Sequence, residues 1–344
     1  MSDEIVARNA LHLKRNLRKW MRNLRLNSPI IESEYQIRSG KINYTDVPFD
    51  VSGGYEAAAI IASGYSLTNH KDWLFTWDAP IIASPTNLPW LLQTGISPDI
   101  VLISDPQDAV YNQLLDVEDY LWHLNFIVPT FVSNKVLDLL IYQGAKVYFY
   151  NAHIAPPSGN MLDEPYNFFV NNLFADLSIG WMAQVGCVTN AAVNLAARLN
   201  ENLKAIFLVG AEYSFPDPLH SRVPMYSYDK EVPGEPVPKG YYDHPLYHVL
   251  VTDAMLAYKR TLMTLWYSAK YPLSVLKTSD GVKGTLRELP STLDTIPLDQ
   301  AIADIVAIYS KPNYHEDAYD SYVTNVLIPY EKFHHQYSVE GDVI

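Results

Sequence analysis

Ala57-Ala58-Ala59-Ile60-Ile61-Ala62-Ser63-Gly64-Tyr65-Ser66-Leu67 is an unbroken apolar run that stops at a small polar turn. A run of that length without a polar residue reads as a strand buried on both faces, the habit of parallel sheets. Gly64 then permits a tight turn into a helix, and the N–H groups opening that helix, with the Ser63 and Ser66 hydroxyls, suit a phosphate. Outward from this stretch the same grammar repeats. Pro80 to Ser84, Ile100 to Ser104, Phe126 to Val128, Lys146 to Tyr150, Ala205 to Val209 and Leu273 to Lys277 read as further buried strands. Leu88 to Thr94, Asn134 to Gln143, Thr189 to Leu199 and Val249 to Ala269 carry helical periodicity, with Gly95 and Gly144 where C-caps belong. Strand and helix in alternation predict an α/β fold: a doubly wound, mostly parallel sheet with helices on both faces and right-handed crossovers.

With 344 residues, 48% of them hydrophobic and 18% charged, the chain can bury one large core, which excludes disorder. Its 25 Lys and Arg against 38 Asp and Glu give −13, so nucleic acid is not expected as the main partner. A lone cysteine, Cys187, cannot form an intramolecular disulfide, and the N-terminus lacks the apolar core of a secretory signal, so a cytoplasmic location is expected. No apolar stretch approaches the ~20 residues of a membrane span; Trp73 to Ile103 is interrupted by Asp78, Pro80, Pro85, Gln93 and Asp99.

Charge divides the chain. Residues 1–25 hold seven Lys and Arg against Asp3 and Glu4, a balance of +5, which leaves −18 for the remainder. Leucines, Trp20 and Met21 interleave with those cations at helical spacing, so Asp3 to Leu26 reads as a basic amphipathic helix. Packing against the main domain or a partner subunit is its expected use, and a homo-oligomer formed through it is one form this could take. Residues 1–54 are thus read as helix and linker, 55–308 as the main domain, and 309–344 as a Tyr- and acid-rich tail. Tyr213 to Tyr242, with six prolines, reads as a long loop of the kind that forms lids.

Ligands of open parallel sheets bind beyond the carboxyl ends of the strands, where strand order reverses. The turns at those ends supply the candidates. Ser63, Gly64 and Ser66 form the first; Asn87 offers donor and acceptor to a base or sugar; Asp105 is a carboxylate that could hold a ribose, a metal or an acceptor, or cap a helix. Thr189 and Asn190 open a helix, and Glu212 and Tyr213 follow a strand. His220 and His244 are the base candidates, since imidazole alone is poised near neutral pH without a large shift.

Taken in order, five motifs are more specific than any one. Ala59-Ile60-Ile61-Ala62-Ser63-Gly64-Tyr65-Ser66-Leu67, Gly95 to Val101 with Ser104-Asp105-Pro106, Gly186 to Ala197, Phe207-Leu208-Val209-Gly210 with His220, and Thr278-Ser279-Asp280-Gly281 with Lys283-Gly284 resemble the motility-associated-factor family. That family shares its domain with the MptE-like 6-hydroxymethylpterin diphosphokinases, and the resemblance spans Tyr55 to Ile302. It implies a Rossmann-like domain, similar also to bacterial CMP-sialic-acid-dependent sialyltransferases. The implied activity is glycosyl transfer from a nucleotide sugar, a CMP-activated nonulosonic acid, to an acceptor hydroxyl. Ser63, Gly64, Ser66, Asn87, Asp105, Thr189 and Asn190 would line the crevice, Glu212 or Tyr213 would orient the donor, and His220 or His244 would be the base. Tyr65 stands where that family usually has proline, and Glu212 where aspartate is usual. No cofactor is required on this reading. The alternative is pyrophosphoryl transfer from ATP to a hydroxymethyl heterocycle, with Mg²⁺ on Asp105, Glu212 and Asp217; a second alternative is a non-catalytic nucleotide-binding subunit.

Overall fold

The computed structural model describes residues 3–49, 57–153, 165–183, 187–200, 205–211 and 213. Beyond these it describes the strand residues 226–227, 230–231, 242–243, 250–251 and 273–275, with Met255 and Tyr258. Helix α1 (Asp3–Ile37) comes first. Strands β1 (Ala57–Ile61), β2 (Ile81–Ala83), β3 (Ile100–Leu102), β4 (Asn125–Pro129), β5 (Lys146–His153), β6 (Trp181–Ala183) and β7 (Ala205–Val209) follow. Helices α2 (Lys71–Thr76), α3 (Leu88–Gln93), α4 (Ala109–Leu115), α5 (Asn134–Tyr142), α6 (Pro165–Leu173) and α7 (Val188–Leu199) alternate with them. Two ribbons, β8 (Tyr226–Ser227) with β9 (Lys230–Glu231) and β10 (Tyr242–Asp243) with β11 (Leu250–Val251), precede β12 (Leu273–Val275).

Eight strands form one parallel sheet in the order β12-β7-β1-β2-β3-β4-β5-β6. All five residues of β1 are buried. Alternate side chains serve two cores: Ala58 and Ile60 join the larger one with α7's Ala191, Val193 and Leu195, while Ala57, Ala59 and Ile61 join Leu74, Trp90 and Leu91 of α2 and α3 in the smaller. Helices therefore cover β1 on both sides, and the doubly wound expectation holds. The seven expected strands all form, Gly95 and Gly144 take φ of 82° and 71° after α3 and α5, and β6 with α2, α4 and α6 are additions the apolar pattern had not marked. One expectation is corrected. Val249 to Ala269 does not begin as helix, because Leu250 and Val251 pair with Asp243 and Tyr242.

α1 runs on past Leu26, and its contacts explain why. Leu24 and Ile31 are fully buried, Trp20 stacks on Phe131 at 4.9 Å, and Asn23 Nδ2 donates to Phe131 O at 3.1 Å. One turn on, Asn27 Nδ2 donates to both Thr130 O (3.0 Å) and Val132 O (2.8 Å). The chain after β4 thus spends its carbonyls on α1, and the helix packs on the sheet domain as an integral element. Beyond the helix, Arg38 donates to Val147 O and lies over the Tyr148 ring, and Asn43 bridges Phe149 of β5. Asn27→Ala is expected to cost about 1–2 kcal/mol in urea unfolding, since it leaves two carbonyls without their donor. An unchanged midpoint would show that water replaces the amide.

Candidate functional site

Strand order reverses between β1 and β7: β2 to β6 follow β1 on one side in sequence, and β7 returns to the other. The carboxyl ends of these two strands are joined beyond the ladder itself. Ala62 N–H donates to Val209 O and Gly64 N–H to Gly210 O, both at 2.8 Å. Gly64 has φ −70° and ψ 157°, extended backbone open to any residue, so the expected need for glycine there is corrected. The glycine that the geometry requires is Gly210, at φ 69°, where a Cβ would stand 2.9 Å from Ala62 O and 3.1 Å from Leu67 Cβ.

The second turn is tied to the first by side chains. Asn87 is fully buried; its Oδ1 accepts Ser84 N–H (3.1 Å) and its Nδ2 donates to Ile61 O (2.6 Å). Its amide therefore clamps the end of β2 to the end of β1, and in this arrangement it offers no surface to a ligand. Ser84 is buried, and its hydroxyl lies 3.5 Å from that of half-buried Ser63. Of the two serines in the first turn, Ser63 is the one whose side chain is described. Of Ser66 the backbone alone is described, within the tight 3₁₀ turn Tyr65–His70.

Asp105 is exposed at the end of β3, two strands from β1 and so about 10 Å away. Its Oδ1 accepts Gln107 N–H at 3.0 Å, while α4 begins later with Asp108 at its N-cap position, so Asp105 shapes the turn and does not cap the helix. Asp108 was not singled out from the sequence. It accepts the Ser133 hydroxyl at 2.6 Å and faces Lys19 Nζ at 3.5 Å, and the Ser133 hydrogen bond holds its carboxyl below the usual range. A depressed carboxylate adds stability above its unfolded pKa and loses it as pH falls through the folded value. In Ser133→Ala, the Asp108 carboxyl, followed by NMR, should titrate at a higher pH. An unmoved titration would assign the shift to Lys19.

The last turn opens α7. Cys187 stands at its N-cap position without a side-chain cap, and Thr189 is half-buried in the first turn. Asn190 is fully buried: its Oδ1 accepts the Tyr213 hydroxyl at 2.8 Å and its Nδ2 donates to Tyr258 O at 2.9 Å. Tyr213, just past β7, takes φ 54°, a left-handed backbone uncommon outside glycine and asparagine. Burial pushes its phenol well above the ordinary value and raises the Cys187 thiol, so both stay protonated near neutral pH.

The structure thus brings Ser63 to Ser84, Gly64 to Gly210, and Asn190 to Tyr213, all at the reversal of strand order. His220, His244, Glu212 and Asp217 lie outside the described residues. Among the described residues no group of three or more His, Cys, Asp or Glu could hold a metal ion, and of the three proposed Mg²⁺ ligands Asp105 alone is described. No described helix is long and apolar enough to cross a membrane.

A doubly wound parallel sheet whose strand order reverses between β1 and β7 defines a Rossmann-like fold. Within that class, the chain belongs to the 6-hydroxymethylpterin diphosphokinase MptE-like family, whose model matches residues 32–218, just over half of it. Among solved structures it resembles the MAf glycosyltransferase from Magnetospirillum magneticum AMB-1, at a TM-score of 0.50 and 19% identity over 74% of this chain. The aligned part is 37% of that longer chain, and at this identity the likeness is one of fold. No curated protein matches the sequence. Family and structural neighbour are both described as transferases.

Proposed function

We propose that the chain transfers a glycosyl group, a nonulosonic acid from a CMP-activated donor, to an acceptor hydroxyl, with the donor seated at the β1–β7 switch point. The observation that supports this reading is the junction of the β1 and β7 turns at the reversal of strand order, where Gly64 N–H meets Gly210 O and Ser63 lies beside Ser84. Gly64 N–H is committed to Gly210, so the phosphate would be met by the N–H groups that follow it and by the Ser63 hydroxyl. Asn190, buried with its amide engaged by Tyr213 and Tyr258, would hold the phenol in place, and neutral Tyr213 would add no negative charge beside a phosphate. In the transfer, the acceptor oxygen forms a bond to the anomeric carbon as the bond from that carbon to the phosphate oxygen breaks. CMP departs with that electron pair, and His220 or His244 takes the hydroxyl proton. A closed Tyr213 to Tyr242 segment would keep water from the activated donor.

The second reading is Mg²⁺-dependent pyrophosphoryl transfer from ATP to a hydroxymethyl heterocycle, favoured by the match to the MptE-like family. Thermal unfolding with CMP, CMP-sialic acid, UDP- and GDP-sugars and ATP, each with and without Mg²⁺, separates the two. A ligand at ~100 times its dissociation constant should stabilise by about 2.7 kcal/mol. Stabilisation by CMP compounds without metal, lost in Ser63→Ala, supports glycosyl transfer. Stabilisation by ATP with Mg²⁺ alone, lost in Asp105→Asn, supports the second reading, and no response to any nucleotide overturns both.

A further inference from the structure

The chain between α4 and β4 is pinned by three inward side chains: Val117, Leu121 and Leu124 are buried, at spacings of four and three residues. The residues between them, on the short 3₁₀ helix Glu118–His123, are exposed. Trp122 is 65% and Tyr120 40% exposed, and both rings meet His123 edge-on, with centroids 5.1 and 6.4 Å apart. Asp116, Glu118 and Asp119 flank this aromatic knob, exposed and paired with no cation among the described residues. A tryptophan so far in water beside three unpaired carboxylates suits a partner that is both cationic and apolar. The outer stripe of α1 has that chemistry. Arg18, Arg22, Arg25 and Leu26 are exposed at spacings of four, three and one, opposite the side that buries Asn23, Leu24, Asn27 and Ile31. We infer that the Glu118–His123 turn docks the α1 stripe of a second copy of the chain.

Placement directs the contact to another copy. Lys19 to Asp108, Asn23 to Phe131 O and Asn27 to Thr130 O hold the stripe beside the carboxyl ends of β3 and β4, whereas Glu118–His123 precedes the amino end of β4. The five residues of β4 put about 15 Å between the two. Charge selects the partner. Residues 1–25 carry +5 and the remainder −18, so the basic stretch of one copy complements the acidic body of the next, while an anionic bilayer or nucleic acid would be repelled from the turn. Guanidinium planes stack on indole and phenol faces while pairing with neighbouring carboxylates, and Leu26, 45% exposed, supplies apolar area beside them. A neutral sugar could stack on Trp122 and Tyr120 but would leave the three carboxylates without a cation. Stripe and turn are unlike surfaces, so the copies join head to tail. The inference is independent of the transferase reading.

The test is sedimentation velocity of the full chain at low salt, from about 1 to 200 µM, the range that suits a small, charged interface. Wild type should associate as concentration rises, and roughly tenfold more weakly at high salt. The stripe variant Arg18→Gln, Arg22→Gln, Arg25→Gln and the turn variant Glu118→Gln, Asp119→Asn, Trp122→Ala should each associate about tenfold more weakly or less tightly still. Their melting temperatures should be unchanged, because all six side chains are exposed. Mixed, the two variants should form a one-to-one complex, since the intact turn of one meets the intact stripe of the other. Should Trp122→Ala lower the melting temperature, Glu118→Gln with Asp119→Asn carries the test, with about a threefold loss. A wild type that stays monomeric, a variant that associates as wild type does, or a mixture without a complex overturns the inference. Binding of a neutral dextran by a monomeric wild type, lost in Trp122→Ala, overturns it as well and assigns the turn to sugar.

Discussion

Gly210→Val is expected to destabilise the protein by about 3–4 kcal/mol and, on the proposed transferase reading, to abolish nucleotide binding. Two costs add. The backbone at φ 69° is strained for any L side chain, at about 1–2 kcal/mol, and more for a β-branched one. A Cβ would also stand 2.9 Å from Ala62 O, a backbone atom that cannot rotate away, so the β7 turn must part from the β1 turn and the Gly64 N–H to Gly210 O bond opens. Gly95 supplies the control. Its φ is 82°, yet a Cβ there meets only Phe75 Cε2, at 3.9 Å, so Gly95→Val should cost the backbone strain alone. Chemical denaturation of both variants isolates the steric part, and equal losses at the two positions would refute the close approach.

Asn87→Ala should cost about 2–4 kcal/mol. The substitution orphans Ser84 N–H and Ile61 O in a site with no access to water and leaves a void where the amide stood. Asn87→Asp tests the same clamp with nearly unchanged shape, because a carboxylate still accepts from Ser84 but faces Ile61 O without a donor. Both variants should unfold at lower denaturant while the slope of the transition is kept. A variant of normal stability that has lost nucleotide binding would instead place Asn87 against the ligand.

Most strands of the parallel sheet were legible because each has an apolar centre, and burial on both sides demands that and little more. β6 was not, since Trp-Met-Ala at 181–183 is too short to stand out from its neighbours. The carboxyl-end turns were located correctly, but residue type does not give direction. Asn87 reads as a ligand-facing amide and is instead turned inward, and Gly64 reads as the indispensable glycine although Gly210, brought beside it by the return of β7, holds that position. Asp108 escaped notice because its partners, Ser133 and Lys19, come from β4's turn and from α1. Such pairings belong to the tertiary fold, and no local pattern announces them. His220 and His244 remain expectations drawn from side-chain chemistry.

The return of β7 to β1 also has a temporal side. Ala57 pairs with Ala205, so the two sides of the switch point come from stretches separated by the whole run of β2 to β6. During synthesis the first side, with its serine turn, emerges long before the second, and loop closure over that length is the slow, costly kind of contact. The junction proposed to seat the donor is therefore completed late, when Gly210 reaches Gly64, and a nascent chain ending short of Ala205 would carry half of it.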